Sequence, residues 1–193
     1  VCGLRNSRGT CKNCRKKTSL RGLLFPAYYK DPILREMIQS FKYNSIESLK
    51  IPLTELVMNY LRKENLIDEF SGSAIVPIPL TLKRKLARGF NQSESLAKEI
   101  GEHLNYPVIN LLKRTKFNTP QVGIPDWQTR KENISGVFEI NPDFLNEEVG
   151  VWKIKKMILV DDVSTSGATL EEAAGILSRA GIKEIYGLVA AKG

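Results

Sequence analysis

The strongest constraint on the fold is the stretch Met157–Thr169. It opens with four apolar residues, Met157–Val160, a run too short for a membrane span and typical of a strand buried on both faces. Asp161 and Asp162 follow at the point where we expect that strand to end. Apolar residues then recur at helical spacing, at Leu170, Ala173, Ala174 and Leu177. The stretch therefore predicts a strand, a loop and a helix.

The predicted loop is rich in groups that bind phosphate. Short hydroxyl donors surround a glycine and an alanine in the order Ser164, Thr165, Ser166, Gly167, Ala168, Thr169. A glycine lets the backbone approach a ligand, and the next helix offers unpaired N–H groups and the positive end of its dipole. We therefore predict a phosphate-binding loop at residues 164–169. The alternative is an ordinary helix cap, for which Asp, Ser and Thr are common.

The two acidic residues before the loop need a different ligand group. Asp161 and Asp162 do not suit the same phosphate, because carboxylates repel it. They suit the vicinal hydroxyls of a sugar or a metal bound to those hydroxyls. A phosphate loop beside an acidic pair therefore predicts a phosphorylated sugar as the ligand.

The charge balance favours an anionic partner. The 193 residues carry 29 Lys and Arg against 21 Asp and Glu, which gives a net charge of +8. A polyphosphate metabolite or a nucleic acid would fit, although the same excess also serves solubility alone. No apolar run reaches the length of a membrane helix, so we expect no membrane insertion. The length suits one sizeable core at residues 20–193 and a small appendage at residues 1–19.

All three cysteines, Cys2, Cys11 and Cys14, lie in the basic N-terminal segment. Cys11 and Cys14 have the spacing of half a zinc ribbon, but structural zinc takes four ligands. The chain begins at Val1 rather than Met, and a cysteine upstream would complete two such pairs. We therefore expect a truncated zinc knuckle, with three free thiols in a disordered segment as the equal alternative. The lack of cysteine elsewhere fits a reducing cytoplasm.

Predicted strands and helices alternate from residue 74 onward, which favours a mainly parallel sheet flanked by helices. Two amphipathic helices precede this part, one beginning at Asp31-Pro32 and ending at Lys42-Tyr43, the other around residues 53–61. The predicted strands lie at residues 74–80, 108–112, 137–140, 157–160 and 184–191. Residues 113–136 form a long polar connection, typical of a lid.

The segment Lys83–Arg88 places four cations after the first of these strands. Such a run is usually a solvated face. Ligands of a parallel α/β sheet, however, bind beyond the carboxyl ends of its strands, and arginine makes bidentate contacts to phosphate. Arg84 and Arg88 are therefore further candidates for phosphate binding.

Val160–Thr169 resembles the phosphoribosyl pyrophosphate loop of type I phosphoribosyltransferases, with Thr165-Ser166 where two threonines are usual. Arg88-Gly89-Phe90-Asn91-Gln92 narrows the resemblance to the ComF/GntX branch of that superfamily, and the match spans nearly the whole chain. The other matching positions are Phe41-Lys42-Tyr43, Pro77-Ile78-Pro79-Leu80, Arg84, Leu96-Ala97, Leu112, Arg114, Gln121, Arg130, Asn133, Gly136, Phe138 and the cysteine-rich start.

This resemblance implies a type I phosphoribosyltransferase fold with a hood at residues 113–136 and a pyrophosphate loop from Pro79 to Arg88. In that family the acidic pair holds the ribose and the hydroxyl loop binds the 5′-phosphate. Pyrophosphate leaves the anomeric carbon while positive charge builds on the sugar, and Mg²⁺ bound to the substrate neutralises the leaving group. Asp161 and Asp162 are thus the candidate catalytic residues. The acceptor is not indicated.

The resemblance also implies a role in natural competence or the use of external DNA. One hypothesis is a Mg²⁺-dependent phosphoribosyltransferase in the cytoplasm. The other is a non-enzymatic module that binds single-stranded DNA and competence proteins through its zinc knuckle and basic residues. A dinucleotide-binding or P-loop protein is disfavoured, because neither Gly-x-Gly-x-x-Gly nor Gly-Lys-Ser/Thr occurs in the chain.

Overall fold

The computed structural model describes residues 18–115, 136–144 and 153–193, which form a mixed α/β fold. The strands are β1 (Gly22–Leu24), β2 (Ala27–Tyr28), β3 (Ala74–Pro77), β4 (Leu112–Arg114), β5 (Phe138–Ile140), β6 (Lys156–Ser164) and β7 (Glu184–Lys192). The α-helices are α1 (Pro32–Tyr43), α2 (Lys50–Lys63), α3 (Leu82–Arg88), α4 (Gln92–Leu104) and α5 (Ala168–Arg179). Short 3₁₀ turns lie at Glu47–Leu49, Asp68–Phe70 and Pro142–Phe144.

The main sheet has the strand order β1-β7-β6-β3, and all of its pairings are parallel. β2 pairs with β7 further along the same edge as β1. β3 ends at Pro77, which lies opposite Val160 of β6, whereas β6 and β7 stay paired as far as Ser164 and Lys192. The segment Asp161–Ser164 therefore extends beyond the end of β3.

Helices cover both faces of this sheet. On one face α1, α2 and α4 pack against alternate strand residues such as Ile158 and Val160. On the other face α5 packs against Met157 and Leu159. The apolar run of β6 is thus buried on both faces, as its composition predicted, and the mainly parallel sheet flanked by helices is confirmed.

Local signals set most of the helix ends. The Asp31 carboxylate accepts a hydrogen bond from the Leu34 amide at 2.9 Å, and Pro32 occupies the first position of α1. This capping confirms the helix start that Asp31-Pro32 predicted. Gly181, with φ at 100°, directly follows Ala180, the C-cap of α5, in the left-handed conformation that favours glycine after a helix.

Three predictions about elements need correction. β6 does not end at Val160 but continues through both acids to Ser164. Residues 108–112 do not form one strand: Val108 makes a single bridge to Ile75, and β4 begins only at Leu112. β4 and β5 pair with each other in an antiparallel two-stranded sheet, so neither extends the main sheet.

Several predictions lie outside the described residues. They concern the zinc ligands Cys2, Cys11 and Cys14, most of the segment 1–19, and hood residues 116–135, which include Gln121, Arg130 and Asn133. These stay predictions. Of the helices that the structure describes, none combines the length and the apolarity needed to cross a bilayer.

Candidate functional site

The candidate site lies where β6 extends past β3. By the two-residue alternation of a strand, Asp162 shares a face with Ile158 and Val160, which is the face covered by α1, α2 and α4. Asp162 is only 6% exposed. A carboxylate at such depth needs a partner, because an isolated buried charge is costly.

Lys42, in the last turn of α1, supplies that partner. Its Nζ lies 2.9 Å from Oδ1 of Asp162, and the Lys42 side chain is 18% exposed. Burial alone would lower the pKa of Lys42, but the charge and hydrogen bond of Asp162 outweigh it and raise that pKa above 10.5. The site therefore contains a fixed cation that binds one of the two acids.

Asp161 has different partners. Its Oδ1 accepts a hydrogen bond from Ser93 Oγ at 2.8 Å and another from the amide of Asp162 at 2.9 Å. Removal from water and then the negative charge of Asp162 raise the pKa of Asp161 to about 7, against the opposing effect of Lys42. The two acids are thus unequal: near neutral pH one is ion-paired and the other is partly protonated.

The segment Arg88–Gln92 connects the elements around this acidic pair. Asn91 caps α4 by accepting from the Ser93 amide at 3.2 Å, and its side chain donates to the Ile78 carbonyl at 3.1 Å. The Gln92 side chain donates to the Phe41 carbonyl at 3.3 Å. These contacts connect the start of α4 to the end of β3 and to α1, so they fix Ser93 and Lys42 beside the acids.

The predicted phosphate loop is short, because β6 ends at Ser164 and α5 begins at Ala168. The hydroxyl of Ser164 is buried and has no hydrogen-bond partner among the described residues. An unpaired buried hydroxyl costs about 1–3 kcal/mol, which a bound acceptor would relieve. Ser166 Oγ accepts from the Ala168 amide at 3.3 Å, although the N-cap of α5 is Gly167. Thr165 is exposed and Thr169 is half-buried.

Gly167 is required at the loop for its backbone conformation. Its φ of 82° lies in the left-handed region, and an added Cβ would meet nothing closer than Ser164 Oγ at 3.9 Å. Lys192, at the end of β7, donates a hydrogen bond to the Thr165 carbonyl. A lysine of the neighbouring strand β7 therefore holds the loop in place. The sequence analysis did not identify this lysine.

The predicted phosphate-binding arginines, Arg84 and Arg88, both lie on α3, a helix where a loop was expected. This helix begins because Thr81 accepts from the Arg84 amide at 3.3 Å. Arg84 and Arg88 are both half-buried, and Arg88 bonds to Gln92 at 3.0 Å and lies 5.2 Å from the Tyr43 ring centroid. The charge of Arg88 also acts on Lys42, so Arg88 lies near the acidic pair.

Sequence reasoning gave no role to Lys42, Ser93 and Arg114. Lys42 was interpreted as a helix end and as part of a stretch that matches the family, and Ser93 follows a recognised motif without belonging to it. The charges of Arg84 and Asp161 both act on Arg114, so Arg114 also lies near the site. The one local signal available for Lys42 was its position directly after Phe41, at the end of an apolar helix face.

Comparisons with known proteins identify relatives along almost the whole chain, although no family model matches it. The chain is 30% identical over 178 residues to "Competence protein F" of Haemophilus influenzae, covering 91% of this chain and 75% of that protein. It is 28% identical over 185 residues to "DNA utilization protein YhgH" of Escherichia coli K12, covering 93% and 77%. It is also 24% identical over 196 aligned residues to "Competence protein ComFC" of Bacillus subtilis, covering 94% and 71%. These relatives confirm the family indicated by the sequence motifs, and the chain belongs to the ComF family.

Proposed function

We propose that this chain has the type I phosphoribosyltransferase fold and binds phosphoribosyl pyrophosphate together with Mg²⁺. The observation that carries the proposal is the acidic pair followed directly by a hydroxyl loop, at the carboxyl end of a central parallel strand. Ligands of open parallel sheets bind at such ends. The buried hydroxyl of Ser164, which has no partner among residues 18–115, 136–144 and 153–193, supports it further, because a phosphate oxygen would accept its hydrogen bond.

Each part of the site would contact one part of the ligand. Ser164, Thr165, Ser166, Thr169 and the backbone at Gly167 and Ala168 would surround the 5′-phosphate. Asp161 and Asp162 would accept hydrogen bonds from the ribose hydroxyls. Arg84 and Arg88 would neutralise the pyrophosphate.

The acidic pair also suits the transfer reaction. The bond between the anomeric carbon and the pyrophosphate oxygen breaks, and a nucleophilic atom of the acceptor bonds to the same carbon. Positive charge develops on the ribose during this exchange. Carboxyl groups beside the ring would stabilise that charge, and the ion pair with Lys42 would hold Asp162 in place for this purpose.

Mg²⁺ fits this site as part of the substrate rather than as a protein-held ion. Among residues 18–115, 136–144 and 153–193 no cluster of three His, Cys, Asp or Glu side chains could hold a metal. Mg²⁺ usually keeps its waters and binds substrate phosphates with at most one or two carboxylates. When bound it would neutralise charge on the leaving pyrophosphate.

The direct test is titration of the whole chain with phosphoribosyl pyrophosphate and Mg²⁺ in a calorimeter. We expect saturable binding, and replacing both acids (Asp161→Asn with Asp162→Asn) should weaken it by about 100-fold or more. Glu99→Gln is the matched control. It also removes an acidic charge, but Glu99 on α4 forms its ion pair with Lys50 on α2 and is not one of the two candidate acids. The absence of heat and of any thermal shift at millimolar ligand would reject the proposal.

The names of the relatives support a second proposal, a link to competence or to DNA use. In that case exposed cations such as Lys83 and Lys85 of α3 would neutralise DNA phosphates. Binding to single-stranded DNA should then weaken steeply as salt rises, since each neutralised phosphate releases a counterion. A flat salt response would exclude binding through this basic surface.

A further inference from the structure

Ser93 bonds to one of the two candidate acids from a different element of the fold. The residue is 2% exposed, and its Oγ donates to Oδ1 of Asp161 at 2.8 Å. A serine in a helix commonly bonds to a carbonyl of its own helix, one turn back. Ser93 lies in the first turn of α4 and bonds instead to a side chain of β6. This hydrogen bond therefore ties the Asp161 side chain to α4.

A continuous set of hydrogen bonds fixes the position of Ser93 in turn. The Ser93 amide donates to Oδ1 of Asn91 at 3.2 Å, and the Asn91 side chain donates to the Ile78 carbonyl at 3.1 Å. The Ile78 amide donates to the Val160 carbonyl at 2.9 Å, and Val160 directly precedes Asp161 in β6. These bonds close a ring between α4 and β6, so the Ser93 hydroxyl has little freedom to move away from Asp161.

The described contacts of the Asp161 carboxyl group involve one of its two oxygens. Oδ1 accepts from Ser93 Oγ and also from the Asp162 amide at 2.9 Å. Oδ2 accepts no hydrogen bond from the described residues, and Asp161 as a whole is only half-buried. Each carboxylate oxygen can accept hydrogen bonds, so Oδ2 is left to accept from a ligand.

We infer that Ser93 is a positioning residue, which holds the carboxyl group of Asp161 in the orientation that directs Oδ2 at a ribose hydroxyl of the ligand. This inference rests on the proposed function and adds to it a residue that does not itself contact the ligand. The carboxyl torsion of aspartate is broad, so a bond to the Asp162 amide alone would leave the group loosely oriented. A group that is oriented before binding loses less conformational entropy when the ligand arrives.

The role of Ser93 differs from that of Lys42. Lys42 supplies the opposite charge through its ion pair with Asp162. The Ser93 hydroxyl is neutral, so Ser93→Ala removes no charge from the site and leaves both members of that ion pair present. A change in ligand affinity in this variant would therefore come from Asp161, the acid that loses a hydrogen bond.

The test uses ribose 5-phosphate and its 2-deoxy and 3-deoxy analogues, each titrated in a calorimeter into the whole chain and into Ser93→Ala. A pH of about 8.5, above the pKa of about 7 for Asp161, keeps the carboxylate mainly ionised. We expect Ser93→Ala to raise the Kd for ribose 5-phosphate about fivefold or more, because Asp161 is no longer oriented. For the analogue that lacks the hydroxyl bound by Asp161, the Kd should rise less than about twofold, since two changes to one interaction are not additive.

Ser95→Ala is the matched control. Ser95 is buried on the same helix, and its hydroxyl also donates to a carboxylate, that of Glu47 at 3.0 Å. The control should leave all Kd values within about twofold of the original. Ser93→Thr keeps the hydroxyl and should restore most of the affinity for ribose 5-phosphate. Thermal unfolding checks the fold of each variant. If the added methyl group is destabilising, Ser93→Cys, which has a weaker donor, should give an intermediate loss.

The outcomes distinguish this inference from the proposed function. If ribose 5-phosphate binds and Ser93→Ala leaves its Kd unchanged, the inference is wrong and the proposed function stands. Equal losses for the three ligands would also overturn it, because Ser93 would then act through the fold. If the chain binds phosphoribosyl pyrophosphate but not the simpler sugars, Ser93→Ala and Ser95→Ala are compared with that ligand, and equal affinities overturn the inference. If the chain binds none of these ligands, the proposed function itself fails.

Discussion

The acidic and basic sides of the candidate site are built in opposite ways. Asp161 and Asp162 lie in a central strand, and each has a described partner, Ser93 for one and Lys42 for the other. α3, in contrast, has no buried side chain, although it supplies Arg84 and Arg88. The two acids therefore belong to a strand of the core, whereas Arg84 and Arg88 lie on an exposed helix.

Because of this difference, we expect substitutions on the two sides to have different effects on stability and on ligand binding. On the acidic side the cost of burying two carboxylates is offset inside the protein, by a lysine and a hydroxyl from two helices. On the basic side neither Arg84 nor Arg114 forms a salt bridge within the described residues, so an anion would complete the electrostatics. Substitution of Lys42, the partner that compensates the charge of the two acids, should mainly change stability, whereas substitutions on the basic side should mainly change affinity for anions.

The largest effect on stability is expected from Lys42→Met. Removing one member of a buried ion pair leaves an uncompensated charge, and here it leaves two adjacent carboxylates without their cation. The free energy of unfolding should fall by about 3 kcal/mol, as measured by urea denaturation at neutral pH.

Lys50→Met provides the matched control for this prediction. Lys50 pairs with Glu99 at 3.2 Å, but its side chain is 32% exposed, against 18% for Lys42. The more exposed pair should contribute no more than about 1 kcal/mol. Equal losses of unfolding free energy in the two variants would mean that the ion pair between Lys42 and Asp162 contributes no more to stability than a more exposed pair.

A smaller effect is expected from the titration of Asp161. Its pKa rises from 3.8 to about 7 on folding, so between these values the folded protein keeps a proton that the unfolded chain has lost. The contribution of Asp161 to the free energy of unfolding therefore falls as pH rises from about 4 to about 7, and it is constant above that range.

Asp161→Asn removes this titration and isolates its effect from that of other groups. Relative to the original chain, the variant should gain unfolding free energy as pH rises from about 4 to about 7, and the difference should stay constant above that range. Urea denaturation of both proteins across this range measures the difference. Parallel stability curves would contradict the raised pKa and the burial that causes it.

Local signals predicted much of the fold. The apolar run of β6, the helical spacing of α5 and the capping residues of α1 act over a few residues, so a single segment reveals them. The same reasoning ended β6 too early, because two adjacent acids disfavour a buried strand when they are considered alone. Pairing of Asp161 with Val189 in β7 keeps that segment in the sheet.

Local sequence patterns could not predict the partners of the two acids. Lys42 lies on α1 and Ser93 on α4, and only the packing of both helices on one sheet face brings them to Asp162 and Asp161. Arg114 was noted as a motif residue, but its proximity to Arg84 depends on how β4 lies relative to α3. The sequence thus predicted which groups would contact a ligand, which stays a prediction, and it missed the hydrogen-bond and ion-pair partners of the two acids.

The smallest expected effect comes from Leu86→Ala, and it tests the basic side directly. Leu86 is 75% exposed on α3, whereas Leu96, on the next helix, is 1% exposed. Leu86→Ala should change the free energy of unfolding by less than about 0.5 kcal/mol, while Leu96→Ala should lower it by about 3 kcal/mol. Urea denaturation of both variants measures this contrast. A loss above about 1 kcal/mol for Leu86→Ala would mean that α3 packs as firmly as α4, and the basic side would then be as preformed as the acidic side.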